Sequence, residues 1–216
     1  MVLPWFLTLM ISFVSASTCF ADFTEEHVWT FDDVPAGKLP PNFSESGNPG
    51  PHWAVIETDK ALSRPNVLAA GKPSRTTRHP ITILVNQRTG EEDFELGASL
   101  LTATKNAGAA SGLIWHVQDE HNYYLFEVSL LGQNNLALYR VAKGIRKQLE
   151  VVTRPFDQSE WHSLRVIVLD DRFVATLDGR AVLDARDPKF RKGRFGLWSS
   201  GVGLTYFDNL TLKILK

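Results

Sequence analysis

Three carboxylates alternate in the run Glu91-Glu92-Asp93-Phe94-Glu95. On a β-strand Glu91, Asp93 and Glu95 project from one face, because successive side chains point to opposite sides. Two carboxyls about 5–5.5 Å apart are what a retaining glycosidase needs, one as nucleophile and one as acid/base. Residues four apart on a strand are separated by roughly 13 Å along its axis. Only convergence on a curved sheet would let Glu91 and Glu95 act together. The plainer alternative is a solvated strand start after the Thr89-Gly90 turn, with Phe94 and Leu96 turned into a core.

A second set combines aromatic rings with planar polar groups: His116, Tyr123, Glu127, Tyr139 and Arg165. Each is read in antiphase with apolar neighbours on its own strand (Trp115, Tyr124, Leu138, Leu164), so the set is expected on an open sheet face. Sugars bind through C–H faces stacked on aromatic rings, with hydroxyls held by groups such as these. Trp198, opposite in phase to Phe195 and Leu197, is the tryptophan expected to be exposed as a stacking platform; Trp29, Trp53, Trp115 and Trp161 are read as core. The alternative is ordinary cross-strand pairing, with Glu127 and Arg165 as a surface ion pair worth under about 1 kcal/mol.

Asp32 and Asp33 near the first strand, with Asp208 and Asn209 on the last, offer oxygen ligands of the kind Ca2+ takes, provided the terminal strands pair. Solvated turn carboxylates are the commoner outcome, so no metal or other cofactor is expected. The histidines show no zinc spacing, and the chain has neither a G-x-S-x-G elbow nor a phosphate-cradling glycine loop.

These residues sit in a chain of alternating apolar and polar runs. The stretch 112–131, GLIWHVQDEHNYYLFEVSLL, reads as a hairpin about a polar turn at 118–122. Leu113, Trp115 and Val117 are assigned to one face, with Ile114 and His116 on the other; Tyr124, Phe126 and Val128 are assigned opposite to Tyr123, Glu127 and Ser129. Further strands are read at 27–32, 53–57, 64–70, 79–85, 93–101, 135–142, 145–152, 161–169, 172–177, 180–185, 194–199 and 204–214. Residues 34–51 are read as a loop. Lys143-Gly144 and Asp178-Gly179 are hairpin turn signals. About a dozen short strands with little helix imply an all-β, two-sheet antiparallel jelly-roll sandwich, in which amphipathic strands bury their apolar faces against each other.

Lys plus Arg number 23 against 24 for Asp plus Glu, for a net charge of −1. Charges this evenly interspersed form no basic stripe, which argues against nucleic acid or an anionic membrane as partner. Residues 1–21 carry no charged side chain, have an apolar run over 2–14 and end in small residues, the layout of a secretory signal peptide. The apolar run is shorter than the roughly 20 residues that span a bilayer. The expectation is an exported periplasmic or secreted protein whose single domain is 22–216. Cys19, the one cysteine, leaves with the signal, so thiol chemistry and Cys-ligated metals are not expected.

The order of several motifs resembles one group of concanavalin A-like lectin/glucanase jelly rolls: laminin-G-like bacterial domains grouped with the 3-keto-disaccharide hydrolase domain and, further off, family-16 glycoside hydrolases. The motifs are WTFDD, HWAVIETD, RPNVLAA, DFELGASL, SGLIWHVQDEHNYYLFEVSLL, LALYRVAKGIRKQL, EWHSLRVIV, FRKGRFGLWSS and TYFDNLTL. The resemblance implies a jelly roll that hosts hydrolases, lectins and domains without known activity. Many such domains carry Arg where this chain has His116 and again where it has Glu127. The carboxylate run is similar to the E-x-D-x-E of some family-16 glycosidases, with Phe94 in a slot usually held by an aliphatic.

The resulting reading is an exported, non-catalytic carbohydrate- or glycan-binding sandwich. The alternative is a glycoside or 3-keto-disaccharide hydrolase using Glu91, Asp93, Glu95 or Glu127; the third is a structural or protein-interaction envelope domain.

Overall fold

The computed structural model describes residues 23–47, 53–71, 81–89, 92–103, 109–129, 135–201 and 203–216. The signal-like segment 1–21 and Glu91 lie outside them. All regular structure among the described residues is β. The strands are β1 (Phe23–Trp29), β2 (Phe43–Gly47), β3 (Trp53–Glu57), β4 (Asn66–Ala70), β5 (Ile81–Thr89), β6 (Phe94–Thr102), β7 (Ala110–Asp119), β8 (Asn122–Ser129), β9 (Asn135–Ala142), β10 (Ile145–Thr153), β11 (His162–Leu169), β12 (Arg172–Leu177), β13 (Arg180–Arg186), β14 (Arg194–Ser200) and β15 (Thr205–Leu215).

They form two antiparallel sheets, the expected jelly-roll sandwich. The eight-stranded sheet runs β13-β12-β11-β6-β15-β4-β3, with β1 also paired to β15; the seven-stranded sheet runs β10-β9-β8-β7-β14-β5-β2. Period-two alternation drives this arrangement, as in β12, where Phe173, Ala175 and Leu177 are buried and the residues between them half-exposed. The inner faces interdigitate in one core, with Leu96, Val166, Phe173 and Phe207 from one sheet meeting Leu113, Trp115, Phe126 and Leu197 from the other.

The two hairpin signals are realised as expected. Lys143 and Gly144 have φ of 52° and 76°, and Asp178 and Gly179 have 50° and 75°, the left-handed pair that a tight hairpin turn requires. Two expectations are corrected. The first strand lies earlier than 27–32, because residues 23–29 pair with β15 along Phe23↔Leu215 to Trp29↔Leu210. The 34–51 loop contains β2: its polar sequence FSESG shows little strand character alone, yet it completes the sheet edge by pairing with β5.

Candidate functional site

The outer face of the seven-stranded sheet carries a second apolar cluster, separate from the core. Ile83 and Val85 of β5, Ile114 and Val117 of β7, Tyr123 and Leu125 of β8, Val141 of β9 and Trp198 of β14 pack together, with Tyr139 at the margin. Strand order explains the convergence: β9, β8, β7, β14 and β5 are successive neighbours, and each contributes its outward phase.

One ion pair sits on this apolar bed. Glu127, only 7% exposed, is bridged by the Arg146 guanidinium. Arg146 lies opposite Val141 in the β9–β10 pairing, and Gln148 opposite Tyr139. Its guanidinium carbon is 3.9 Å from the Tyr139 ring centroid and 5.5 Å from that of Trp198, so the planar cation is stacked on tyrosine. Trp198 is 1% exposed. Its indole N–H has no well-formed hydrogen bond among the described residues, although the Tyr123 hydroxyl is within electrostatic reach. Burial pushes the phenols of Tyr123 and Tyr139 above their usual range, so both stay neutral donors.

The open part of the face is a cavity of about 230 Å3 lined by Tyr123, Val141 and Arg146, by Glu120, His121 and Gly144 of two hairpin turns, and by Gly47 and Ile81 across the sheet. A neighbouring hollow of about 330 Å3 lies over Ser44, Ser46, Ile83, Val85 and Val117. Glu120 borders both and accepts a hydrogen bond from the Ser46 hydroxyl at 2.7 Å.

Tyr123, Glu127, Tyr139 and Trp198 are therefore brought together, while His116 and Arg165 are not. His116 does not alternate with Trp115. It takes a left-handed φ of 48° at a bulge, where β7 slips register against β8 and β14. Its ring turns inward, 1% exposed, among Phe94, Tyr124 and Phe173. Nδ1 lies 2.9 Å from the Phe190 carbonyl, and burial lowers the imidazole pKa to about 4. Arg165 projects from the eight-stranded sheet and pairs with Glu95 at 2.9 Å. Trp198 reverses expectation in another way: it is on the outer face but covered.

The carboxylate run is likewise divided from the site. Glu95 belongs to β6 in the other sheet, and Asp93 accepts the Asp170 N–H at 2.7 Å, fastening a turn. Neither shares a face with Glu127. The sequence reading missed Arg146; its signal was the phase of β10 against Val141, legible only once the Lys143-Gly144 turn fixes the register.

The acidic set near the termini holds a loop. Asp208, fully buried, accepts the N–H groups of Leu62 and Ser63 at 2.9 and 2.8 Å and that of Asn209 at 2.7 Å. Burial raises its pKa, with Asp32 adding in the same direction. Asp32 accepts the Ser63 hydroxyl and the Asn66 N–H; burial opposes these bonds, which nonetheless lower its pKa. Asp33 is exposed. Oxygens already directed at N–H and O–H donors are a poor cradle for Ca2+, which wants six or more free oxygen ligands. Among the described residues no group of three or more His, Cys, Asp or Glu is placed to hold a metal.

The fold is shared with proteins of several activities. The carbohydrate binding module CBM66 from Bacillus subtilis superposes with a TM-score of 0.63 at 21% identity, over 80% of this chain and 95% of that one. The catalytic domain of an endo-1,3-beta-glucanase (laminarinase) from Thermotoga petrophila gives 0.62 at 11% identity, over 91% and 100%. The VIP36 exoplasmic/lumenal domain, in a Ca2+- and Man3GlcNAc-bound form, gives 0.57 at 13% identity, over 83% and 86%. A comparison with curated protein sequences gives no match. A family model described as 3-keto-alpha-glucoside-1,2-lyase-like domain matches residues 50–213, and the chain belongs to that family.

Proposed function

We propose that this protein is a non-catalytic carbohydrate-binding sandwich whose ligand lies on the outer face of the seven-stranded sheet. The observation that carries the reading is the Arg146 guanidinium stacked on Tyr139 and bonded to Glu127, above the buried Trp198 ring and at the wall of the cavity. A planar cation, a carboxylate acceptor and neutral phenols gathered beside a cavity supply the donors and acceptors that sugar hydroxyls need. Fold neighbours that include a carbohydrate binding module and a glycan-bound lumenal domain support it.

Catalysis is disfavoured by where the carboxylates are committed. Glu127 is held by Arg146, Asp119 caps its own turn through the His121 N–H and Asn122, and Glu120 is tied to Ser46. Each of these carboxylates is thus engaged by a donor group. Residues 1–21 direct export in this reading and are then removed, so the ligand is met in the periplasm or outside the cell.

Titration calorimetry with neutral oligosaccharides tests the proposal. Binding that Tyr123→Ala, Tyr139→Ala and Arg146→Ala each weaken about tenfold or more supports the site; binding that all three retain contradicts it. Family membership favours a second reading, cleavage of a 3-keto-glucoside with Glu127 as the base. Turnover of such a substrate that Glu127→Gln abolishes would establish it.

A further inference from the structure

The outer face of the other, eight-stranded sheet also bears an apolar cluster, in which Val67, Leu101 and Tyr206 are buried and Trp161 packs at the edge. Trp161 was expected in the core, yet it is half-exposed just before β11. Beside it lies a cavity of about 400 Å3, floored by Leu101 and Ala103 and bordered by Thr102, Lys60, Ser159 and Trp161. That volume falls within the roughly 300–1,000 Å3 of small-molecule clefts.

The tryptophan is held in place. Its Nε1 donates to the Lys60 carbonyl at 2.9 Å, which uses up the only polar group of the indole and leaves the ring surface for a ligand. The loop supplying that carbonyl is itself fastened. Lys60 N–H donates to the Thr58 hydroxyl at 3.3 Å, Ala61 N–H to the Thr58 carbonyl at 3.3 Å, and Leu62 and Ser63 N–H to Asp208. A fully buried carboxylate is a costly way to pin a surface loop. Its effect is to fix Lys60 and Trp161 before any ligand arrives, the preorganisation that lowers the entropy cost of binding.

We infer that this cavity is a second carbohydrate site, taking one neutral pyranose unit stacked on Trp161, with the Lys60 ammonium donating to its hydroxyls and the Ser159 oxygen, whose own proton goes to Asp157 at 2.6 Å, accepting from one. A neutral ligand is favoured because Asp59, Asp157 and Glu160 stand in the same two segments as Lys60 and Ser159 and offset the ammonium. The site stands independently of the first face, from which it is separated by the thickness of the sandwich. With both occupied, one molecule joins two glycan chains.

Indole N–H resonances in a 15N-correlated spectrum separate the two faces. Maltotriose, cellotriose and laminaritriose are each titrated to millimolar concentration. At least one is expected to shift the Trp161 signal, and Lys60→Ala to weaken that event about tenfold at unchanged melting temperature. Calorimetry, which needs no indole at 161, reads the tryptophan variants: Trp161→Ala should remove the heat of the event that Lys60→Ala weakens while any Trp198 shift persists, and if that variant fails to fold, Trp161→Phe keeps an aromatic ring there and should weaken it. A Trp161 resonance that none of the three sugars moves overturns the inference, whether or not Trp198 responds. A Trp198 response alone leaves the first site standing without the second.

Discussion

Arg146 supplies the outer face of the seven-stranded sheet with N–H donors, and Glu127 accepts from one of its terminal nitrogens. The rest of its planar fork remains for ligand hydroxyls at the wall of the 230 Å3 cavity. Arg146→Ala should therefore cut sugar affinity at least tenfold, about 1.4 kcal/mol. Arg165→Ala, on the other sheet, should leave affinity unchanged; calorimetry on the pair separates a specific site from general surface charge. His116 carries a different prediction. Its folded pKa of about 4 lies below the ordinary 6.5 because burial disfavours the imidazolium, with the Phe190 carbonyl and Glu92 only partly opposing. Between those values the unfolded chain binds a proton that the fold excludes, so stability falls as pH drops from about 6.5 to about 4. The loss is on the order of 3 kcal/mol, since each pKa unit is worth about 1.4. Denaturant unfolding at neutral pH and near pH 4.5 should show this fall. His116→Asn tolerates the left-handed backbone and should flatten it.

The β7–β8 hairpin shows what alternation reveals and where it stops. Leu113, Trp115, Tyr124, Phe126 and Val128 face the core, as their phase implies. Alternation breaks at His116, because a left-handed residue in mid-strand leaves no mark in a pattern of apolar and polar letters. What makes the bulge tenable is distant in sequence. The Tyr124 hydroxyl donates to Asp187 and accepts the Phe190 N–H at 3.1 Å, and the Phe190 carbonyl takes His116 Nδ1–H. Asp187 is pushed up by burial, yet bonds from Tyr124, Arg140 and the Lys189 N–H outweigh this and keep its pKa low. Tyr124→Phe orphans the Phe190 N–H and should destabilise by about 1–3 kcal/mol, measured by thermal melts, without altering sugar affinity. Arg146 and β2 escaped notice for a related reason. The mostly exposed β10 and the polar β2 lie at sheet edges, where pairing rather than composition makes the strand. Glu95 and Arg165 were read as members of two separate chemical groups; the β6–β11 register makes them neighbours.

At the scale of the molecule, the terminal strands close the structure. β15 is bordered by β6 along its length and by β4 and β1 on its other side, so the first and last described strands pair. One core shared by both sheets should unfold as one cooperative unit; coincident fluorescence and circular dichroism transitions are expected for residues 22–216, and two separate transitions would show independent domains. The fold leaves two outward faces, one with the Tyr139–Arg146–Glu127 arrangement and one with Trp161, and keeps Asp93 and Glu95 of the carboxylate run off the first. In the proposed function the first face holds sugar without breaking it. A titration with neutral oligosaccharides and a 3-keto-glucoside, following the Trp198 indole resonance and then analysing the recovered ligand, tests this most directly. A saturable Trp198 shift, lost in Tyr139→Ala, is expected, with every ligand recovered intact. Cleaved ligand, with cleavage abolished by Glu127→Gln, or a Trp198 signal that none of them moves, would contradict it.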